Sequence, residues 1–157
     1  KASLYSPHQI SIGNNVRIDD FCILSGEISI GSHVHISAYS ALYGSYGIEL
    51  KDYSGISPRC TLFSAMDDFS GEYLVGAVHE KSVTNVTGGK IVLDRFVQLG
   101  AQTIVFPNVF IGEGAVAGSF SLINKDVEPW TINVGIPVRI IRKRSRNLVK
   151  LANFNHD

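Results

Sequence analysis

Residues 10–30 read ISIGNNVRIDDFCILSGEISI, and an aliphatic side chain returns at every sixth position: Ile12, Ile18, Leu24 and Ile30. The count continues through Ile36 and Leu42, and a second, mostly smaller residue sits four places after each, at Val16, Cys22, Ile28, Val34, Ser40 and Tyr46. After a two-residue slip at Ile48-Glu49 the series resumes at Leu50, Ile56 and Leu62, breaks, and returns at Leu93, Leu99, Val105, Ile111, Ala117 and Ile123. An amphipathic helix needs returns at three and four residues, and a half-buried strand alternates by two throughout, so neither gives a period of six. A short strand followed by a tight corner does. With three units to a turn, each aliphatic residue points inward and stacks on its equivalent in the next coil, at the roughly 4.8 Å spacing of paired strands. The fifteen units predict an all-β parallel solenoid of about five coils, with corners at Gly13-Asn14-Asn15, Gly31 and Gly112 where unusual backbone angles are needed.

Two segments depart from the repeat. Residues 64–90 form a long excursion, and insertions of that length in a folded chain are functional or disordered. Residues 139–157 form a basic segment followed by SRNLVKLANF, whose spacing predicts a short helix with Leu148, Leu151 and Phe154 on one face. The whole of 1–157 is read as a single domain. Its 45% hydrophobic and 18% charged residues suit a folded unit with a real core. Lys plus Arg equals Asp plus Glu at 14 each, so no overall field favours nucleic acid or an anionic membrane, although six basic residues cluster between Arg139 and Lys150. No apolar run approaches a membrane span and no signal-peptide pattern opens the chain, so a cytoplasmic setting is expected. Residue 1 is Lys rather than Met, and further sequence upstream is expected. Cys22 and Cys60 fall on the same inward face with Ser40 in the coil between them, about 10 Å apart by strand spacing. That is too far for a disulfide.

The units Ile12-Gly13-Asn14-Asn15-Val16-Arg17 and Ile111-Gly112-Glu113-Gly114-Ala115-Val116, with the closing run VGIPVRIIRKR, resemble the hexapeptide repeat of the left-handed β-helix acyltransferases over residues 10 to 144. The resemblance implies left-handed coiling, a homotrimer with active sites between subunits, acetyl-CoA as donor, and an acceptor hydroxyl or amine often carried on a sugar. The stretch VHISAYSAL is similar to one in the sugar O-acetyltransferase subgroup, which includes the galactoside acetyltransferases.

Acetyl transfer needs a base to take the acceptor's proton, and imidazole suits that task. His35 is the first candidate. Stacking puts Asp19 one coil away at the same corner, where it can orient the ring. His79, in the excursion, is the second: similarly placed loops of galactoside acetyltransferases contribute the catalytic His. Those loops begin with Gly-His-Pro, however, whereas this chain has Asp67-Asp68. Asp68, Glu72 and Ser37 are candidate acceptor contacts, Ser37 because an acceptor-contacting Asn lies near its position in the resembling enzymes. The pairs Ser37-Ala38, Ser57-Pro58, Gly100-Ala101 and Gly118-Ser119 recur at one corner. They form a smooth strip along which a pantetheine arm could lie, or simply corners that must be tight. By the resemblance Ala101, Ser119, Asn124, Lys125 and Arg142 contact CoA, the last two by pairing with phosphate, and Gly100 and Gly118 of the strip are candidate CoA contacts beside them. Gln98 stands where the family has a Trp.

The leading expectation is an acetyl-CoA-dependent O-acetyltransferase acting on a sugar or glycan precursor. The alternative keeps the fold and donor but acetylates an amino-sugar attached to a nucleotide, where a strong base matters less if the amine arrives neutral. A different class would be a non-catalytic solenoid or a protein like the γ-class carbonic anhydrases, which share this solenoid and bind metal through three histidines. Zinc catalysis needs three protein ligands and an open position. His33-x-His35 lacks the later His pair of that family, and no metal is expected.

Overall fold

Stacked aliphatic residues do form the core. The computed structural model describes residues 1–154. It is mostly β, a solenoid of about seven turns with one short C-terminal helix. Three parallel columns make its wall. One contains Ile10–Ile12, residues 28–30 and 48–50, Ile91–Leu93 and Phe110–Ile111. The second contains Arg17–Ile18, His35–Ile36, Gly55–Ile56, Gln98–Leu99, Val116–Ala117 and Thr131–Val134. The third runs from Ser3–Tyr5 through residues 23–25 and 41–43 to Thr61–Phe63, Ile104–Val105 and Leu122–Ile123. The five coils of the repeat are thus extended by Ser3–Tyr5 at one end and by a rung from Val127 to Val134 at the other. Inside, Leu24, Leu42, Leu62, Val105 and Ile123 form one ladder and Ile36, Ile56, Leu99 and Ala117 another, all essentially buried.

The register slip lies earlier than the spacing suggested. Gly26 pairs with Gly44 and then Ile28 with Ile48, so the extra residues fall between 44 and 48. Gly47, at φ +93°, turns them outward. Ile48 takes the buried place assigned to Tyr46, whose ring is half exposed. Inward position, not spacing, decides the register, because a tyrosine there would bury its hydroxyl.

The corners depart more sharply from expectation. Asn15 and Gly114 have the left-handed backbone angles, but so do His33, Tyr53, Phe96 and Trp130 in the same column, and Phe21, Tyr39, Arg59, Gln102 and Phe120 in the next. A left-handed residue with a side chain costs about 1–2 kcal/mol. Stacking offsets it. His33 lies 4.7 Å from Tyr53, Tyr53 lies 5.0 Å from Phe96, and Phe21 lies 4.9 Å from Tyr39, ring centre to ring centre. Such pairs contribute about 0.5–1.5 kcal/mol each beyond burial. His33, read from its place in the unit as facing solvent, belongs to this aromatic column. Gly114 is the exception that shows the rule, since a Cβ there would come within 2.6 Å of Trp130 Cδ2.

The excursion leaves after Ser64 and returns at Ile91, its ends tied by Gly89 N–H donating to Ser64 O at 2.9 Å. Ala65–Asp67 and Val86–Gly88 pair antiparallel as its stem. The C-terminal helix, Asn147–Phe154, packs on Phe96 and Trp130 through Leu148, Val149 and Ala152. Leu151 is 58% exposed, so it is off the docked face expected of it. The burial of Phe154 lies outside the described residues. No helix among the described residues is long and apolar enough to cross a membrane.

Cys22 and Cys60 are free and fully buried, their thiols directed at Ser37 O (3.2 Å) and Gly100 O (3.1 Å). Burial pushes both thiols up, Cys60 to about 11. Thiol titration of the native protein at pH 8 is therefore expected to find almost no reactivity, and two groups after denaturation. Replacing Leu42 by Ala should cost about 2–5 kcal/mol, read as a lowered midpoint in denaturant, because neighbours locked into coils above and below cannot collapse into the space.

Candidate active site

His35 and Asp19 meet as the stacking arithmetic predicts. Arg17–Ile18 pairs with His35–Ile36, so the residue after Ile18 reaches the corner beside the imidazole. His35 Nε2 lies 2.8 Å from Asp19 Oδ2, and Arg17 Nε donates to Oδ1 at 2.7 Å. The two hydrogen bonds, that from Arg17 first, hold the Asp19 carboxyl below its ordinary value. Asp19 is a carboxylate with both oxygens engaged, next to an imidazole whose side chain is 49% exposed. With Nε2 donating to Asp19, Nδ1 is left to accept a proton.

The small-residue strip has a packing cause. Each pair directly precedes a left-handed corner residue, and the next coil lies against it. A Cβ on Gly100 would meet Ser119 N at 2.5 Å, and one on Gly118 would meet Val134 Cγ1 at 2.7 Å. The carbonyls turn inward: Thr103 Oγ1 donates to Gly100 O at 2.7 Å and Ser121 Oγ to Gly118 O at 2.6 Å. Ser37 is 9% exposed, too buried to present its hydroxyl freely to an acceptor. Ala38, Ser57 and Ala101 are half-buried and Pro58 and Ser119 exposed, so most of the strip is accessible.

In the excursion, Asp68 accepts from Ser70 N at 2.7 Å and from Asn85 Nδ2 at 2.8 Å, and these bonds, those from Ser70 first, hold its pKa down. Its carboxylate thus takes part in the loop's own fold, as does that of Asp67, whose Oδ1 accepts from Gly76 N at 3.4 Å. Glu72 is exposed. His79 lines a hollow of about 380 Å³ with Asp67, Lys81, Thr84 and Val86. A second hollow of about 290 Å³ adjoins it, sharing Ala65, Met66 and Asp67 and lined otherwise by Phe63, Phe69 and Phe106. Asp67, which borders both, was missed by the sequence reading; its signal is the alternation that turns Asp67 and Asp68 to opposite sides of the chain.

The basic C-terminus divides. Arg144 is half-buried and donates to Phe96 O and Gly114 O, both at 2.9 Å, so it fastens the terminal segment to the corner. Arg146 lies over the Trp130 ring at 5.1 Å, and Lys143 is 3.5 Å from Glu128. Arg142 is exposed on the last strand, Arg139–Lys143. Asn124 is exposed, and Lys125 lines a hollow of about 510 Å³ with Asn133, Val138 and Arg139. No group of three or more His, Cys, Asp or Glu that could hold a metal occurs among the described residues.

No protein-family model matches the sequence. The dTDP-4-amino-4,6-dideoxy-D-glucose acyltransferase of Escherichia coli is 41% identical over 154 residues, covering 96% of this chain and 80% of that one. AntD, an N-acyltransferase from Bacillus cereus solved with dTDP and 3-hydroxybutyryl-CoA, is 51% identical with a TM-score of 0.96, over 99% of this chain and 83% of that one. A maltose O-acetyltransferase from Clostridium difficile 630 shares the fold alone, at 22% identity and a TM-score of 0.59 over 93% of this chain and 65% of that one. The expected affinity with the sugar O-acetyltransferases is therefore corrected: the extended similarity is to N-acyltransferases of nucleotide amino-sugars. A six-residue repeat stacked into a β-solenoid, with near-complete similarity to these enzymes, means that this chain belongs to the hexapeptide-repeat acyltransferases of the left-handed β-helix fold.

Proposed function

We propose that this enzyme transfers an acyl group from acyl-CoA to the amino group of dTDP-4-amino-4,6-dideoxyglucose. The observation that carries the proposal is 41–51% identity, over nearly the whole chain, to one enzyme named for that sugar and another crystallised with it and coenzyme A. The amine nitrogen attacks the thioester carbonyl carbon, a C–N bond forms, the C–S bond breaks, and CoA leaves as thiolate while the nitrogen gives up a proton. The thiolate then takes up a proton. A hydroxyl acceptor would need strong base assistance to become a nucleophile, whereas an amine needs only to arrive neutral. The exposed imidazole of His35, oriented by an ionised Asp19, suits that lighter task. Lys125 and Arg142 are the free cations proposed for the CoA phosphates, with Ala101, Ser119 and Asn124 beside the pantetheine arm. A homotrimer, with His79 and the excursion meeting a neighbouring copy, is the proposed assembly.

AntD has been crystallised with coenzyme A as variants of one aspartate and of a serine ten positions before it. In this chain Ser57 and Asp67 are the one serine–aspartate pair at that spacing. They join Ser37, Asp68 and Glu72 in the proposed acceptor site.

Release of CoA thiol should be seen with acyl-CoA and dTDP-4-amino-4,6-dideoxyglucose and be absent with a simple galactoside; preference for the galactoside would overturn the proposal. His35→Ala should lower kcat by about 10²-fold at neutral pH, a loss that shrinks as pH rises and the acceptor amine deprotonates unaided. His79→Ala should chiefly raise KM for the acceptor. Light scattering at micromolar concentration should give a trimer mass.

A further inference from the structure

We infer that Tyr46, carried outward by the bulge at residues 45–47, is a positioning residue that holds the root of the excursion, and with it the acceptor hollow, against the wall of the solenoid. The inference rests on the reading above that the excursion serves the acceptor, and it gives the two extra residues of that coil a task.

The excursion's stem is an antiparallel ladder of three residue pairs, Ala65 with Gly88, Met66 with Thr87 and Asp67 with Val86. A two-stranded ribbon that short does not hold its own direction in water. Its direction is set by what packs at its root, and the bulge sits there. Tyr46 N–H donates to Ser64 Oγ at 2.9 Å, and that hydroxyl donates onward to Tyr43 O at 2.8 Å. Ser64 is fully buried and directly precedes the stem, while its carbonyl accepts from Gly89 N–H at the return. One serine therefore ties the bulge, the exit and the return together. The Tyr46 ring closes over this knot. A Cβ on Gly88 would come 2.7 Å from Tyr46 Cε2 and 2.5 Å from Ser64 O, so the bare glycine is what lets the ring lie against the stem. Lys90 completes the clasp from the other side. Its Nζ is 2.6 Å from Glu49 Oε2, and its chain passes the bulge so closely that a Cβ on Gly47 would lie 3.4 Å from Lys90 Cγ. The strand Ala65–Asp67 leads straight from this root into the hollow that His79 lines. Without the ring the backbone ties would keep the stem attached but leave it free to tilt, and a tilt at the root grows with distance along the loop. The contact with Gly88 is made by ring carbons, which phenylalanine supplies and alanine does not.

Amide hydrogen exchange and steady-state kinetics on the full chain test this together. In Tyr46→Ala the amides of the stem, residues 65–67 and 86–88, should exchange about tenfold faster, while those of the buried coils around Leu42 and Leu62 keep their rates. With acyl-CoA and dTDP-4-amino-4,6-dideoxyglucose, the same variant should raise KM for the amino-sugar roughly tenfold, change kcat far less, and leave KM for acyl-CoA and the melting midpoint nearly as they were. Tyr46→Phe should match the unaltered enzyme in both measurements. Gly88→Ala should reproduce the Tyr46→Ala pattern, because its methyl group displaces the ring. Unchanged stem exchange in Tyr46→Ala would overturn the inference, and so would a KM for acyl-CoA raised as much as that for the amino-sugar. A Tyr46→Phe variant as impaired as Tyr46→Ala would overturn it too, by assigning the effect to the hydroxyl. Failure of the unaltered enzyme to acylate the amino-sugar would remove the functional reading instead, and stem exchange would still decide whether Tyr46 holds the excursion.

Discussion

Every coil must lie on the coil beneath it at the spacing of hydrogen-bonded strands, and the rest of the molecule follows from that constraint. A side chain pointing inward has its own counterpart as neighbour above and below, so an apolar column stays apolar from coil to coil: Leu24, Leu42 and Leu62, or Ile36, Ile56 and Leu99. The core is filled by repetition rather than by interlocking elements distant in sequence. It also has no room for insertions. Extra residues leave at a corner, as the short bulge at residues 45–47 and the long excursion after Ser64 do, and the ladder resumes undisturbed at Ile48 and Ile91.

The corners carry the cost of turning so sharply. Left-handed backbone angles are spread through two columns, and aromatic residues rather than glycines occupy much of them. Regular stacking makes this tolerable, because the same geometry that strains each residue brings its ring over the next. His33 and His35 show how finely position decides role. The first is at the left-handed corner and stacks on Tyr53; the second, two residues on, lies on a flat strand with Asp19 in hydrogen-bonding reach.

Apart from the His35–Asp19 corner, the hollows and the basic strand Arg139–Lys143 lie where the repeat is interrupted or ends. The excursion adds a stem, two adjoining hollows and an exposed phenylalanine to an otherwise smooth wall. The end of the solenoid adds a basic strand, and Arg144 binds it to two corner carbonyls. Gly100 and Gly118 serve coil packing first, so their smallness alone says nothing of a ligand.

Periodicity in the sequence was enough to determine the parallel solenoid, its inward residues, the buried and unbridged cysteines and the meeting of His35 with Asp19, because in a stacked repeat the distance between two residues is set by counting. Counting stops wherever the chain departs from the repeat. The placement of Asp67 rather than Asp68 toward the hollows, the use of Arg144 in fastening the terminal segment, the docking of the helix by Leu148, Val149 and Ala152, and the burial of Ser37 were decided by tertiary structure. Each depends on which way a side chain turns against a surface that is distant in sequence, and local spacing does not encode that surface.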